Sequence, residues 1–353
     1  MKKILLTTSA LVAFAGAASA EIAISGSAEM GFVGGGDNNI SFAAGGETQF
    51  HNDITLSIKA TGVTDGGLSF GSLFDFSKVE GNANGNVSID NEAAFISGSF
   101  GTLTMGEIDG AMDWAITESV GNPGSIGDDE TMHAGYMGSF GDGFYDNQIV
   151  RYDYSMGDFG FALSAELDDD VAGRSTNYAA GVTYKTTFGS TALGFGLAYQ
   201  SFEALGYLPG NLGGDGGYGD ATGTSAYDPV TGWNTAGLGL DGNIDIVAVS
   251  VNADMGNGFV AGLAYSDWSA DNADATQTQL SLGYTTGAIS VGANYGVYDI
   301  DGLGKIKGFG LAAAYDLGGG LSVHAGYGDS SWDNVFGPDD GFETYSVGVA
   351  MAF

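Results

Sequence analysis

The densest donor chemistry in this 353-residue chain is three acidic runs, Asp128-Asp129-Glu130, Asp168-Asp169-Asp170 and Asp339-Asp340. Adjacent carboxylates suit Ca2+, a hard cation that takes oxygen ligands. Asp128, Asp129 and Glu130, or Asp168, Asp169 and Asp170, are the candidate metal sites, and no other cofactor is required. Solvation of a polar loop accounts for such runs equally well. His51, His133 and His324 are too scattered for an HExxH or HxxxH zinc pattern. No GxSxG elbow marks a nucleophilic serine, although a Ser-His-Asp triad assembled from distant residues stays open. With no Cys in the chain, thiol nucleophiles, thiolate metal sites and disulfides are all excluded.

Charge narrows the partners. Against 43 Asp and Glu stand 9 Lys and Arg, a formal net charge of −34. Such a chain repels phosphate and seeks cations, so nucleic acid is excluded as a partner. Charged residues make up only 15% and aromatics 12% of the sequence, which separates it from intrinsically disordered chains.

The elements that must carry these charges are strands. From Glu21 to Phe353 apolar or aromatic residues recur at every second position, and helical periodicity is almost absent. Tyr345, Val347, Val349, Met351 and Phe353 share one face of the last strand, opposite Thr344, Ser346, Gly348, Ala350 and Ala352. A soluble β-sandwich also alternates, but its outer face carries Lys, Glu, Arg and Thr. Here the less apolar face is Gly, Ser, Ala and Asn, while apolar faces end in aromatics such as Tyr184, Tyr265, Tyr295 and Tyr327. That pattern fits the lipid-facing wall and aromatic girdles of a transmembrane antiparallel β-barrel.

Sixteen alternating segments are expected: 22–33, 48–61, 68–78, 87–100, 102–107, 148–156, 159–167, 177–187, 191–203, 244–255, 259–269, 276–284, 288–299, 306–317, 321–328 and 342–353. An even number closes a barrel. Short Gly-containing turns alternate with long connections at 108–147, 168–176, 204–243, 270–275, 300–305 and 329–341. By strand parity Glu29, Asp53, Asp75, Asp153, Glu166, Asp254 and Asp316 point into the lumen with Lys59, Arg151, Lys185, His51 and His324.

The first residues read as an export signal. Lys2 and Lys3 precede an apolar run from Ile4 to Gly16, and Ala18-Ser19-Ala20 supplies a cleavage site. The expected division is a leader over 1–20 and a barrel over 21–353. Losing Lys2 and Lys3 takes the net charge from −34 to −36. No later apolar run is long enough for a transmembrane helix.

The sequence resembles the general porins of alphaproteobacteria, the type found in purple photosynthetic bacteria. The resemblance rests on SGSAEMG at 25–31, ATGVTDGGLSFG at 60–71, AFISGSFGTLTMGE at 94–107, YDLGGGLSV at 315–323 and the terminal Phe353. It implies a sixteen-stranded homotrimeric barrel in the Gram-negative outer membrane, with a third external loop folded inward as a constriction. That loop falls at 108–147 and contributes Asp109, Asp113, Glu118, Asp128, Asp129 and Glu130. Family members oppose such acids with basic residues on early strands. Here that stretch reads Glu47-Thr48-Gln49-Phe50-His51, so the basic half reduces to Lys59, Arg151 and Lys185. The resemblance also implies that the last strand, through Phe353, is the signal read by the barrel-assembly machinery. Subunit contacts are expected where outward faces carry Gly26, Ala28 and Gly98.

The expected function is therefore passive diffusion of small hydrophilic solutes and ions with weak cation selectivity. The lipid bilayer, lipopolysaccharide and other copies of the chain are its partners. An outer-membrane enzyme or an envelope-anchoring barrel are the alternatives.

Overall fold

The computed structural model describes residues 21–35, 48–79, 88–141, 148–167, 176–207, 240–333 and 340–353. The expected leader and the Asp168-Asp169-Asp170 run lie outside the described residues, as does Asp339. Among the described residues sixteen strands form one wall: β1 (Glu21–Gly35), β2 (Gln49–Val63), β3 (Ser69–Val79), β4 (Ser88–Gly98), β5 (Gly101–Glu107), β6 (Gln148–Met156), β7 (Phe159–Glu166), β8 (Asn177–Phe188), β9 (Thr191–Tyr207), β10 (Leu240–Asp254), β11 (Phe259–Ser269), β12 (Asp274–Thr286), β13 (Ile289–Ile300), β14 (Gly304–Gly318), β15 (Leu321–Asp333) and β16 (Asp340–Ala352). Each pairs antiparallel with its chain neighbours, and β1 closes on β16. Closure satisfies the backbone groups in a medium that offers them no water.

Two loops are shorter than the sequence pattern suggests. β9 continues to Tyr207 and β10 begins at Leu240, inside the expected 204–243 connection, and β15 and β16 reach into the expected 329–341 loop. Gly, Asp and Ser interrupt the apolar alternation there, but ladder hydrogen bonds are made by the backbone and continue past the last apolar side chain. At the opposite end the connections are tight. Gly157 (φ 62°) and Gly189 (φ 62°) each open a two-residue turn. Positive φ at the first turn residue is the type II′ geometry whose twist matches the strands.

Outward positions are apolar and exposed, including Ile22, Ile24, Met30 and Phe32 on β1 and Leu280 and Leu282 on β12. Aromatics form rows near both rims. Tyr184 lies 4.7 Å from Phe159 and 6.1 Å from Phe195 beside the tight turns, and Phe309 lies 6.0 Å from Tyr327 towards the loops.

The inner face departs from the expectation of small polar residues. On the loop-side halves of β9–β16 it carries Phe202, Ile244, Ile246, Trp268, Tyr298, Ile306, Trp332 and Phe342, all buried in one apolar cluster. The clue was in the sequence: Ile246-Val247-Ala248-Val249 is apolar at both parities, as a strand covered on both faces must be. One side of the barrel thus holds a conventional hydrophobic core inside its lumen.

Candidate functional site

β5 leaves the wall after seven residues, whereas β9 runs for 17. The chain that follows, 108–141, turns inward and lies along the inner wall. Arg151 on β6 holds its root, donating from Nη1 to the Asp109 carbonyl at 2.7 Å. A short helix, α1 (Ala111–Ala115), then buries Ala111 and Met112 against β7–β9.

Serine hydroxyls of the inner wall accept hydrogen bonds from the loop backbone along this path. Ala111 donates its N–H to Ser164 Oγ at 2.8 Å, Thr117 to Ser250 at 3.1 Å and Val120 to Ser281 at 2.9 Å. At the tip Ile126 donates to Ser346 on β16 at 3.1 Å, and Gly127 to Glu29 Oε2 on β1 at 3.0 Å. His324 Nδ1 lies 3.0 Å from the Gly124 carbonyl. A carbonyl only accepts, so Nδ1 carries the proton. The return leg is held by Ala134 N–H to Ser330 at 3.0 Å, by Tyr298 OH to the Met137 carbonyl at 3.1 Å, and by Gln200 Nε2 to the Phe140 carbonyl at 3.0 Å. The loop is therefore held along the arc from β6 through β16 to β1, and β2–β5 form the remaining arc.

All six expected loop acids lie on this inward segment. The tip is a tight hairpin in which Ser125 N–H donates to the Asp128 carbonyl at 2.9 Å. Asp128 Oδ1 accepts from Glu130 N–H at 2.9 Å and from Tyr136 OH at 2.8 Å. Oxygens of Asp128, Asp129 and Glu130 approach within 4.8 Å of one another. Burial first, then the neighbouring Asp129, pushes Asp128 up to about 6, and burial with the charges of Asp129 and Asp128 pushes Glu130 up to about 8. His133 is fully buried beneath the return leg, and burial lowers its value to about 4. It is neutral there, with Nδ1 accepting from Gly135 N–H at 3.2 Å.

The strand register turns every expected wall residue inward. Lys59 and Asp53 share the face of Glu29 through the β1–β2 pairing, and Asp75 sits opposite Ser57 on that face. Asp153 and Arg151 face in with Ser164, and Lys185 follows Gly181 on β8. His51 Nε2 lies 3.8 Å from Glu29 Oε2. Arg151, by contrast, is committed to the loop root and lies 3.7 Å from Asp153. Asp90 was missed by sequence parity: a bulge at Asn91 (φ 57°) shifts the register and brings Asp90 opposite Asp75 in the lumen. The arc facing the loop thus presents Asp53, Asp75 and Asp90 alongside Lys59.

Tyr345, Val347, Val349, Met351 and Phe353 point outward, and the Phe353 N–H donates to the Gly26 carbonyl at 2.9 Å.

A sequence profile described as Gram-negative porin matches residues 7–334. A protein named porin from Rhodobacter capsulatus is 27% identical over 285 residues, covering 78% of this chain and 85% of that one. Among solved structures, a mutant of the Rh. blastica porin is 17% identical with a TM-score of 0.64, covering 94% of this chain and all of that one. A porin refined at 1.8 Å resolution is 22% identical with a TM-score of 0.61, again over 94% of this chain.

Proposed function

The chain belongs to the Gram-negative porins, outer-membrane diffusion channels and not enzymes, and on that premise we propose that it passes small hydrophilic solutes as a homotrimer with a weak preference for cations. The observation carrying the preference is the charge on both sides of the aperture. Loop acids Asp109, Asp113, Glu118, Asp128, Asp129 and Glu130 lie on the inward segment, and the arc across from it bears Asp53, Asp75 and Asp90, with Lys59 on that arc and Lys185 beyond it. Arg151 keeps its charge, but Asp153 lies 3.7 Å from its guanidinium and offsets much of its field. Planar-bilayer recordings test the reading. Large stepwise openings with a cation-positive reversal potential in a KCl gradient support it, and an anion-selective potential overturns it.

The trimer is supported by the shortness of β4–β7 and by small outward residues, Gly26 and Ala28 on β1 and Gly98 at the end of β4. The close oxygens of Asp128, Asp129 and Glu130 support a Ca2+ site in the loop tip; chelator-dependent loss of thermal stability tests it. Lipopolysaccharide as a partner is supported by charges on the outward face of the loop-side rim, where Lys305 pairs with Asp299 at 2.5 Å and Lys307 with Asp333 at 2.6 Å. Recognition by the assembly machinery is supported by the apolar outer face of β16.

A further inference from the structure

The inner wall beneath the loop is missing side chains at the positions where the loop runs closest. A Cβ on Gly283 of β12 would fall 2.3 Å from the Gly121 carbonyl oxygen, and one on Gly196 of β9 would fall 2.2 Å from that of Ala115. On β8 and β15 the same holds for Gly181, 2.3 Å from the Ala111 oxygen, and Gly328, 2.1 Å from the Met132 oxygen. None of these four glycines has positive φ, so the requirement is space and not backbone conformation. Every one of these contacts is with loop main chain, which cannot swing aside as the end of a flexible side chain can.

Interleaved with these gaps are the hydroxyls of Ser164, Ser250, Ser281, Ser330 and Ser346, each accepting one loop N–H. These N–H groups belong to irregular backbone or, at Ala111, to the first turn of α1, so none has a main-chain acceptor of its own to join, and an acceptor on the wall is what allows the loop to lie flat. Glycine sets the distance of approach and serine holds the loop at it.

Resting on the channel reading above, we infer that this track of lumen-facing serines and glycines on β7–β16 positions the constriction. These residues fix how far the loop stands off the wall, and hence the width of the aperture, without touching a permeating solute. The control over pore width then lies in wall residues more than 40 positions away in sequence from the loop they seat, such as Ser281 and Gly283 beneath Val120 and Gly121.

Two substitutions on β12 test this in the full-length protein purified in detergent. Ser281→Ala removes the acceptor for Val120 and should speed hydrogen exchange of the 117–122 amides roughly five-fold, the worth of one net hydrogen bond. Ser281→Thr keeps the hydroxyl and should restore protection. Gly283→Ala should lift Gly121 off the wall and lower single-channel conductance. Ser57→Ala, a lumenal serine on the β2 arc, is the control and should change neither quantity. Exchange of the β12 ladder amides reports whether each variant keeps its barrel. With the barrel intact, unmodified exchange in Ser281→Ala together with unmodified conductance in Gly283→Ala overturns the inference. The exchange arm does not depend on conduction: if the unsubstituted protein forms no channel, the diffusion reading fails while the seating of the loop is still decided by Ser281→Ala and Ser281→Thr.

Discussion

Arg151 and Asp109 are joined by a 2.7 Å hydrogen bond from guanidinium Nη1 to main-chain carbonyl, which turns one of the few lumenal bases into a structural clamp. The Arg151 charge is offset by Asp153, 3.7 Å away, and the lumenal side chains as a whole are predominantly acidic. One carboxylate about 10 Å from an ion contributes roughly 0.4 kcal/mol in water, cut to about 0.12 by physiological salt. An excess of about five acids sums to roughly 0.6 kcal/mol, a two- to three-fold cation preference. Asp109→Asn with Asp113→Asn should reduce that preference without loss of assembled barrel, and the preference of the unsubstituted protein should grow on dilution. Reversal potentials at two salt concentrations measure both effects.

Selectivity should also follow pH. Glu130 and Asp128 sit at about 8 and about 6, above the ordinary carboxylate range. The seated loop therefore binds protons that a released loop would not bind until lower pH. Acidification from pH 8 towards 5 stabilises the seat and strips charge from the aperture, Glu130 first. Cation preference should be smaller at pH 5 than at pH 8.5, and equal values at the two would contradict the assignment of these acids to the solute path.

Glu29 anchors the tip through the Gly127 N–H at 3.0 Å. A hydrogen bond to a charged group is worth about 1.5–3 kcal/mol. Glu29→Ala should therefore loosen the tip and raise open-channel current noise, whereas Glu29→Gln, which keeps an acceptor, should stay near the unsubstituted level.

At the chain terminus, Phe353 pairs with Gly26 through its main chain and extends the outward apolar row of β16. Deleting Phe353 should lower the amount of folded barrel in the membrane far more than total synthesis, read as heat-modifiable mobility on SDS gels.

Ala28 faces outward beside the seam. Ala28→Trp should shift SDS-resistant oligomer to monomer if barrel walls meet there, and trimers that persist would move the interface elsewhere.

The wall was legible in the sequence because a strand's side-chain period is local. Tyr345 through Phe353 announce their face without reference to any partner, and Gly157 and Gly189 announce their turns. The loop's seat was not legible. Ser250, Ser281 and Ser346 look like any other small lumenal residue until register brings them beneath amides between 133 and 220 positions away. Asp90 was hidden by a one-residue bulge, whereas the lumenal core left a trace in the run from Ile246 to Val249, apolar at both parities. Arg151 could be placed on the inner face, but its commitment to Asp109 is a property of the folded loop.

The tip of the inward loop has a bearing on how the cylinder is completed. Gly127 bonds to β1 and the adjacent Ile126 to β16, the two strands whose pairing joins the beginning of the chain to its end. The loop thus spans the closing seam from within, like a clasp fastened on the inside of a cuff. A cylinder sealed with the loop left outside would lack both bonds, so the lining of the passage also reinforces the seam that closes it.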